Sequence, residues 1–360
     1  MATFAVVDLS NLFQRCARHG SGGMADPDVK VGLAYLIVFR SLRRMHREFK
    51  ADHIVFAIDR GSWRYAEYPP YKSRRKLNRL AASPQEQAEH DLFLKALNDL
   101  IAYLSAYTRC SVLQVEGLEG DDFVARFVAN HPDDQHIIVS ADSDFVQLLA
   151  ANVRIFDAIN QRMIGVDAIV DERGRKLSFL VSPKDGKIKV GKPAADFAPE
   201  PDWHRKALFI KLIRGDSGDS VFSAYPGVRY EGKKCSIRAA WEDRAEMGYD
   251  WNNLMFQTWD KLIGSNEAGE AITRTVRVID EFRINQRLID LSQQPEHIVA
   301  KMDQAIRAAM EQPPIAGVGV GFLRFCAAHA LPSLAKEVND HVAYLNAGYP
   351  QVRSQQDKYI

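Results

Sequence analysis

Glu119, Asp121 and Asp122 in the run EGLEGDD, followed by Asp142 and Asp144 in SADSD, put five carboxylates into one short stretch of the chain. Between the two groups lie an apolar segment from Phe123 to Val128 and a hydrophobic run from Ile137 to Val139, the pattern of a helix followed by a buried strand. Such a strand delivers Asp142 and Asp144 to the carboxyl edge of a sheet, and the preceding loop brings Glu119 and Asp121 to the same rim. Two carboxylates roughly 4 Å apart repel by about 4 kcal/mol at an effective dielectric of about 20. The cluster therefore calls for protonation or for cations between the charges, and metal ions are the simpler answer.

The elements that position these acids repeat one design. Residues 3 to 7, TFAVV, form an apolar run that stops at Asp8, with Ser10 and Asn11 able to cap a following helix. After a helix expected from Val29 to Arg47, the stretch DHIVFAID at 52 to 59 is a second apolar strand ending in an acid, Asp59. One Asp after a strand is ordinarily a cap or a turn. Strands ending in Asp8, Asp59 and Asp142, separated by helical stretches, are what an open parallel α/β sheet produces, and such sheets bind ligands outside their strand carboxyl ends. An amphipathic helix from Pro84 to about Tyr107, a strand at CSVLQVEG, a short helix at FVQLLA and a further strand at NVRIFDA complete this half.

Directly after Asp59 the composition changes. Between Arg60 and Leu80 stand seven basic residues, Arg60, Arg64, Lys72, Arg74, Arg75, Lys76 and Arg79, against the single acid Glu67. Trp63, Tyr65, Tyr68 and Tyr71 are interleaved with them, and Pro69-Pro70 prevents one continuous helix. A charge run alone is ordinarily a solvated surface, which has no need of the aromatics. Cations for phosphates with rings for bases is the composition of a single-strand nucleic-acid platform. Further on, a helix from about Asp202 to Ile213 ends at RGDSGDS, which places Asp216 and Asp219 three residues apart. The turn YPGVRYEGKK adds Gly227, Gly232, Lys233 and Lys234 before another helical stretch. Helix, glycine-bearing loop, helix is an arrangement that grips a phosphate backbone.

The remaining signals are limiting ones. The chain has 360 residues and a formal net charge of +1, an ordinary soluble composition with acidic and basic residues segregated locally. No apolar run reaches the roughly 18 residues of a membrane span, and the start MATFAVVDLS lacks the features of a leader, so the expected location is cytoplasmic. Cys16, Cys110, Cys235 and Cys326 have no paired spacing and read as reduced thiols, while His53, His131 and His136 read as structural. Residues 172 to 192 read as a β-hairpin around Asp185-Gly186, a surface insertion without chemistry of its own. The segment from about Ser236 to Leu345 reads as mostly helical, with Trp241, Trp251 and Trp259 in the core and a linker at EQPPIAGVGVG.

In order along the chain, VVDLSNL, FAID, YKSRRK, EGLEGDD, SADSDFVQLL, IRGDSGDS and PGV…GKK resemble the flap endonuclease and 5′-nuclease family, nearest to its bacteriophage ribonuclease H type. FRINQRLIDL at 282 to 291 also resembles a late segment of that family, so the likeness runs from about residue 3 to 300. The resemblance implies a PIN-like α/β core with a central, mostly parallel sheet over residues 1 to 219. It implies a helical arch at about 60 to 107 and a C-terminal helical domain over 220 to 360 that grips duplex DNA through a helix-three-turn-helix.

It also implies two Mg²⁺ ions, replaceable by Mn²⁺, the first surrounded by Asp8, Asp59, Glu119, Asp121 and Asp142 and the second held by Asp144, Asp216 and Asp219. Asp122 would support the motif. Lys72 would face the scissile phosphate, with Arg75 and Arg64 as further candidates, and Tyr71, Arg74, Lys76 and Arg79 would complete the nucleic-acid contact. The implied activity is hydrolysis at 5′ ends, flaps and nicks of DNA and at RNA primers on DNA, by a monomer with a single-strand binding protein or sliding clamp as partner. The sequence departs from the pattern in two places: six residues separate Asp219 from Pro226, and Tyr230 stands where another glycine is usual. A structure-specific binding protein without catalysis and a metal-dependent phosphatase of small molecules are the alternatives.

Overall fold

A computed structural model describes residues 1–19, 26–232, 235–248, 252–265 and 270–350. The chain opens with strand β1 (Thr3–Asp8), helices α1 (Leu9–His19) and α2 (Pro27–Arg47) and strand β2 (His53–Ala57). The basic aromatic stretch folds as α3 (Arg64–Glu67) and α4 (Ser73–Leu80), and α5 (Pro84–Tyr107) returns to β3 (Ser111–Leu113). Next come α6 (Gly120–Asn130), β4 (Gln135–Val139), a 3-10 turn at Ser143–Leu148 and β5 (Val153–Asp157). Short strands β6 (Arg162–Ile164) and β7 (Ile169–Val170) lead to the hairpin β8 (Lys176–Val181) and β9 (Ile188–Pro193).

These nine strands form one sheet in the order β3-β2-β1-β4-β5-β6-β7-β8-β9. Its first five strands are parallel and the rest antiparallel. The strand order reverses between β1 and β4, so the ligand crevice of such a sheet falls at the carboxyl ends of these two strands, where Asp8 and Asp142 stand.

Period-two alternation assigns the strand side chains to two cores. Ala5, Val7, Ile54 and Phe56 face one side with α1, α2 and α5, and Phe4, Val6, Val55 and Ala57 face the other with α6. Helix α5 begins at a Ser83 capping box closed by Glu86, with Pro84 at its first position.

Beyond the sheet lie α7 (Trp203–Arg214), α8 (Ile237–Met247), a two-stranded ribbon of β10 (Thr258–Ser265) and β11 (Ala271–Arg277), and α9 (Val278–Ile289). Helices α10 (Glu296–Met310), α11 (Val318–Ala328), α12 (Pro332–Lys336) and α13 (Val338–Leu345) follow. The ribbon corrects the expectation of helix across this region. It is rich in β-branched residues, as in ITRTVR, and the two strands pair antiparallel.

The described residues between 220 and 350 also divide among three cores. Phe209, Trp241, Met255 and Phe282 join a third cluster, whereas Met302 and Ile306 pack on one face of the sheet and Phe322, Phe325 and Tyr344 on the other. Trp259 is half-buried, its indole N–H donating to Ala224 O at 2.9 Å, and Trp251 lies outside the described residues. Among the described residues no helix is long and apolar enough to cross a membrane.

Candidate active site

The aspartates expected at the rim come together, whereas Glu119, expected beside them, lies off the cleft lining. Among the described residues, eight aspartates line one cleft of about 450 Å³: Asp8, Asp59, Asp121, Asp142, Asp144, Asp157, Asp216 and Asp219. Each is delivered by an element end. Asp8 closes β1 and caps α1 itself, accepting from Asn11 N–H at 3.1 Å, so the capping role anticipated for Ser10 or Asn11 belongs to the aspartate. Its second oxygen accepts from Ser140 Oγ at 3.1 Å, across the strand switch. Asp59 accepts from Gly120 N–H at 2.7 Å, and a Cβ on Gly120 would meet that carboxylate at 3.2 Å and the Ala57 carbonyl at 3.4 Å. The glycine in EGDD thus permits the start of α6 to approach the end of β2. Asp142 caps the 3-10 turn by accepting from Asp144 N–H at 3.1 Å.

The electrostatics divide the cluster. Burial, with the charges of Asp59 and Asp142 beside it, pushes the Asp8 carboxyl up to about 8. Burial and the same neighbours raise Asp121 well above the usual carboxylate range, and Asp142 is raised by burial and by Asp144. These acids have more negative charge around them than the protein neutralises.

The other side of the cleft is held by lysines. Lys211, on α7 and 8% exposed, bridges Asp144 Oδ1 at 2.5 Å and Asp216 Oδ2 at 2.6 Å. Burial opposes ionisation of Asp216, yet Lys211 and two backbone N–H donors hold it below the usual range. Lys72 pairs with Glu119 and lies 3.9 Å from Asp219, which also pairs with Arg75. Lys72 has a left-handed φ of +52°, held where its N–H donates to Asp219 O at 2.7 Å. Lys211 was missed in the sequence. The available signal was a lysine inside the apolar run ALFIKLI, where a buried ammonium needs acidic partners.

Two residues expected at the nucleic acid lie elsewhere. Arg64 is 2% exposed and forks onto Asp122, Nη1 to Oδ2 at 2.9 Å and Nη2 to Oδ1 at 2.8 Å. Its Nη1 also donates to Glu119 at 2.6 Å, and its Nε to Leu288 O at 2.9 Å. Asp122 receives Trp63 Nε1 at 2.9 Å as well. Every strong donor of Arg64 is committed inside the protein, so this arginine fastens the EGDD motif to α3. Tyr71 is likewise buried, with its hydroxyl 3.2 Å from Glu119 Oε2 and 3.3 Å from Asp219 Oδ2.

Glu119, already bound by Ser62 Oγ at 2.7 Å, by Arg64 and by Lys72, is an anchor with little oxygen to spare. Arg74, Arg75, Lys76 and Arg79 are exposed on α4, a helix without one buried residue. Gly227 lies in an exposed turn at φ +77°, and Gly232 is exposed beyond it. Lys233 and Lys234 fall outside the described residues.

The donor set fits hard divalent cations. It is made of carboxylate oxygens, the ligands that Mg²⁺ and Mn²⁺ prefer. It carries excess negative charge at Asp8, Asp121 and Asp142. The buried Asn11 Oδ1, also on the cleft wall, has no hydrogen-bond partner. As they stand, no three His, Cys, Asp or Glu side chains among the described residues enclose a metal position. The ammonium groups of Lys211 and Lys72 occupy the gaps between carboxylates.

A family model described as 5′-3′ exonuclease, N-terminal resolvase-like domain, matches residues 3–174. Over these residues the chain is similar to the 5′-nuclease family. Among this family's members, the flap endonuclease Xni of Shewanella pealeana is 31% identical over 130 residues, covering 36% of this chain and 46% of that protein. The Xni protein of Shewanella woodyi is 29% identical over 198 residues, covering 53% and 71% respectively. The match thus spans less than half of the Shewanella pealeana protein's length. The flap endonuclease of bacteriophage T5, solved with DNA and metal ions, superposes with a TM-score of 0.51 at 17% identity over 95% of this chain and 99% of that one. That likeness bears on the fold alone.

Proposed function

We propose that the protein is a divalent-metal-dependent 5′ nuclease, cleaving phosphodiester bonds at 5′ ends, flaps and nicks of DNA and in RNA primers paired to DNA. The observation that carries this reading is the convergence of aspartates from β1, β2, α6, the turn after β4 and the end of α7 on one cleft, beneath an exposed basic helix. Asp8, Asp59, Asp121 and Asp142 would hold one ion, with Glu119 behind them as anchor, and Asp144, Asp216 and Asp219 a second. When bound, Mg²⁺ or Mn²⁺ supplies hydroxide at neutral pH and offsets charge on the phosphoryl and leaving oxygens.

The chain's own residues do the rest. Arg64 fixes the start of α6, so that Glu119 and Asp121 keep their position whether or not the cleft is filled. Lys72, set at the mouth by its own strained backbone, brings an ammonium to the phosphate and offsets charge developing on it. Arg75, Arg74, Lys76 and Arg79 present the strand to this mouth, and α4 is free of packing that would hold it to one shape. The turn at Gly227 and the start of α8, capped where Ser236 accepts from Ala239 N–H, would take the phosphates of the duplex. In this reading residues 1 to 219 carry the chemistry and the segment from Asp216 to α8 the duplex grip.

The test is cleavage of end-labelled 5′-flap, nicked and RNA-primed duplexes, with Mg²⁺ present or omitted. The reading predicts short 5′ products from at least the flap, only with the metal. No metal-dependent cleavage of any of the three overturns it.

A further inference from the structure

The cleft has a second wall to which the proposed function gives no task. It is the β8–β9 hairpin, which the sequence presents as a bare surface insertion. The structure builds it rigidly. Phe179 of β8 packs against Phe197 at 5.1 Å and Trp203 at 4.7 Å between ring centroids. At the tip, Gly186 adopts φ +71° and sits so close to α7 that a Cβ there would lie 2.3 Å from the Ala207 carbonyl oxygen. The turn is closed by Ser182 N–H donating to Lys187 O at 2.8 Å and Gly186 N–H to Ser182 O at 2.9 Å. Lys187 N–H donates to Asp185 Oδ1 at 3.1 Å, and Arg214 of α7 donates to Pro183 O at 3.2 Å. The hairpin tip is therefore registered to α7, the helix that carries Lys211 and leads into Asp216.

This registration places Lys187, Ile188 and Val190 on the cleft lining together with Ile155 and Ile164. Lys187 differs from the other cations of the site. Lys72, Arg75 and Lys211 each hold a carboxylate, whereas the Lys187 ammonium has no hydrogen bond or ion pair among the described residues. A fixed, exposed cation beside an apolar shelf, next to a hydrolytic centre for polyanions, matches one nucleotide of the substrate strand: phosphate to the ammonium, nucleoside over the shelf. We infer that Lys187 of the β8–β9 turn binds a phosphate of the bound strand neighbouring the one that is cleaved, and so sets how far the strand is drawn across the aspartates. This inference rests on the proposed nuclease reading.

The test compares the full-length protein with Lys187→Gln and Lys189→Gln. Lys189 is exposed on the same strand and pairs across the hairpin with Leu180, outside the cleft lining. With a labelled 5′-flap DNA and Mg²⁺, Lys187→Gln should raise KM roughly tenfold with kcat little changed, the loss of one charge-assisted contact. The slope of log(kcat/KM) against log salt should become shallower by about 0.9, one phosphate contact fewer. Lys189→Gln should match the unaltered protein in both. Unchanged KM and slope in Lys187→Gln, or equal losses in Lys189→Gln, overturn the inference. Should the unaltered protein cleave nothing, the nuclease reading fails by itself. Anisotropy titration of the same DNA without divalent ions then decides Lys187 separately, by whether its salt slope differs from that of the unaltered protein.

Discussion

The two edges of the parallel sheet both gather residues of metal-binding type, and they use them in opposite ways. At the amino edge, His53, His131 and His136 crowd around Phe4, Phe127 and Tyr349. His53 Nδ1–H donates to Ala347 O at 3.0 Å while Nε2 accepts from Ser111 Oγ at 2.9 Å. His131 Nδ1–H donates to Phe127 O at 2.8 Å, and Nε2 accepts from Tyr349. His136 Nε2–H donates to His131 O at 2.8 Å while its buried Nδ1 has no partner, so the three rings are shut from solvent and all but one of their nitrogens are bonded within the protein. At the carboxyl edge, burial and neighbouring carboxylates raise Asp8, Asp121 and Asp142 above the usual range, so their ionised forms are only partly compensated by the protein, around an open cleft. Saturation separates a structural cluster from a reactive one better than residue type does.

The largest effect expected is on the fastening beneath the reactive edge. Arg64→Met leaves Asp122 buried without its cation and Glu119 with Lys72 alone, and denaturant unfolding should show a loss of about 3–5 kcal/mol. A loss below 1 kcal/mol would mean that Arg64 is a surface cation after all and is free to bind phosphate. Lys72→Ala should do the reverse: folding stability should change by less than about 1 kcal/mol, while single-turnover cleavage slows by on the order of a hundredfold, about 2.7 kcal/mol in the barrier. Equal weakening of duplex binding would reduce Lys72 to an attractor of DNA.

The smallest effect is at the amino edge. Burial lowers the His53 pKa from 6.5 to about 4. Between these values the unfolded chain binds a proton that the folded one refuses, so stability is full above about pH 6.5 and falls as the pH drops toward 4. Replacing His53 with Gln should flatten this part of the stability–pH curve by on the order of 2 kcal/mol and leave cleavage at neutral pH unaltered. A change in metal-dependent cleavage would erase the distinction between the edges.

The carboxyl edge was legible because its signals are local. Apolar runs stopping at Asp8, Asp59 and Asp142 announce buried parallel strands with acids at their tips, and α5 could be read from Pro84 to Tyr107 by its apolar spacing. What was not legible depends on tertiary neighbours. Arg64 and Lys72 belong to one basic run, and nothing local tells that the first is enclosed by Asp122, Glu119 and Leu288 while the second stands at the cleft mouth. Lys211 looks like an interruption of an apolar helix until Asp144 and Asp216 are seen on either side of it. The β10–β11 ribbon is hidden in the sequence because its exposed, mixed residues carry no strong period of either kind. The helices after residue 296 gave amphipathic faces without saying which face of the sheet would receive them.

The central claim, that the unsaturated aspartates are a metal-dependent hydrolytic site, is tested most directly at Asp142. Cleavage of a labelled 5′-flap duplex in Mg²⁺ should be compared between the protein and Asp142→Asn, the variant being purified away from host nucleases. The account predicts a fall in rate on the order of a thousandfold, about 4 kcal/mol in the barrier, with the fold intact by circular dichroism. Undiminished metal-dependent cleavage by Asp142→Asn would contradict it.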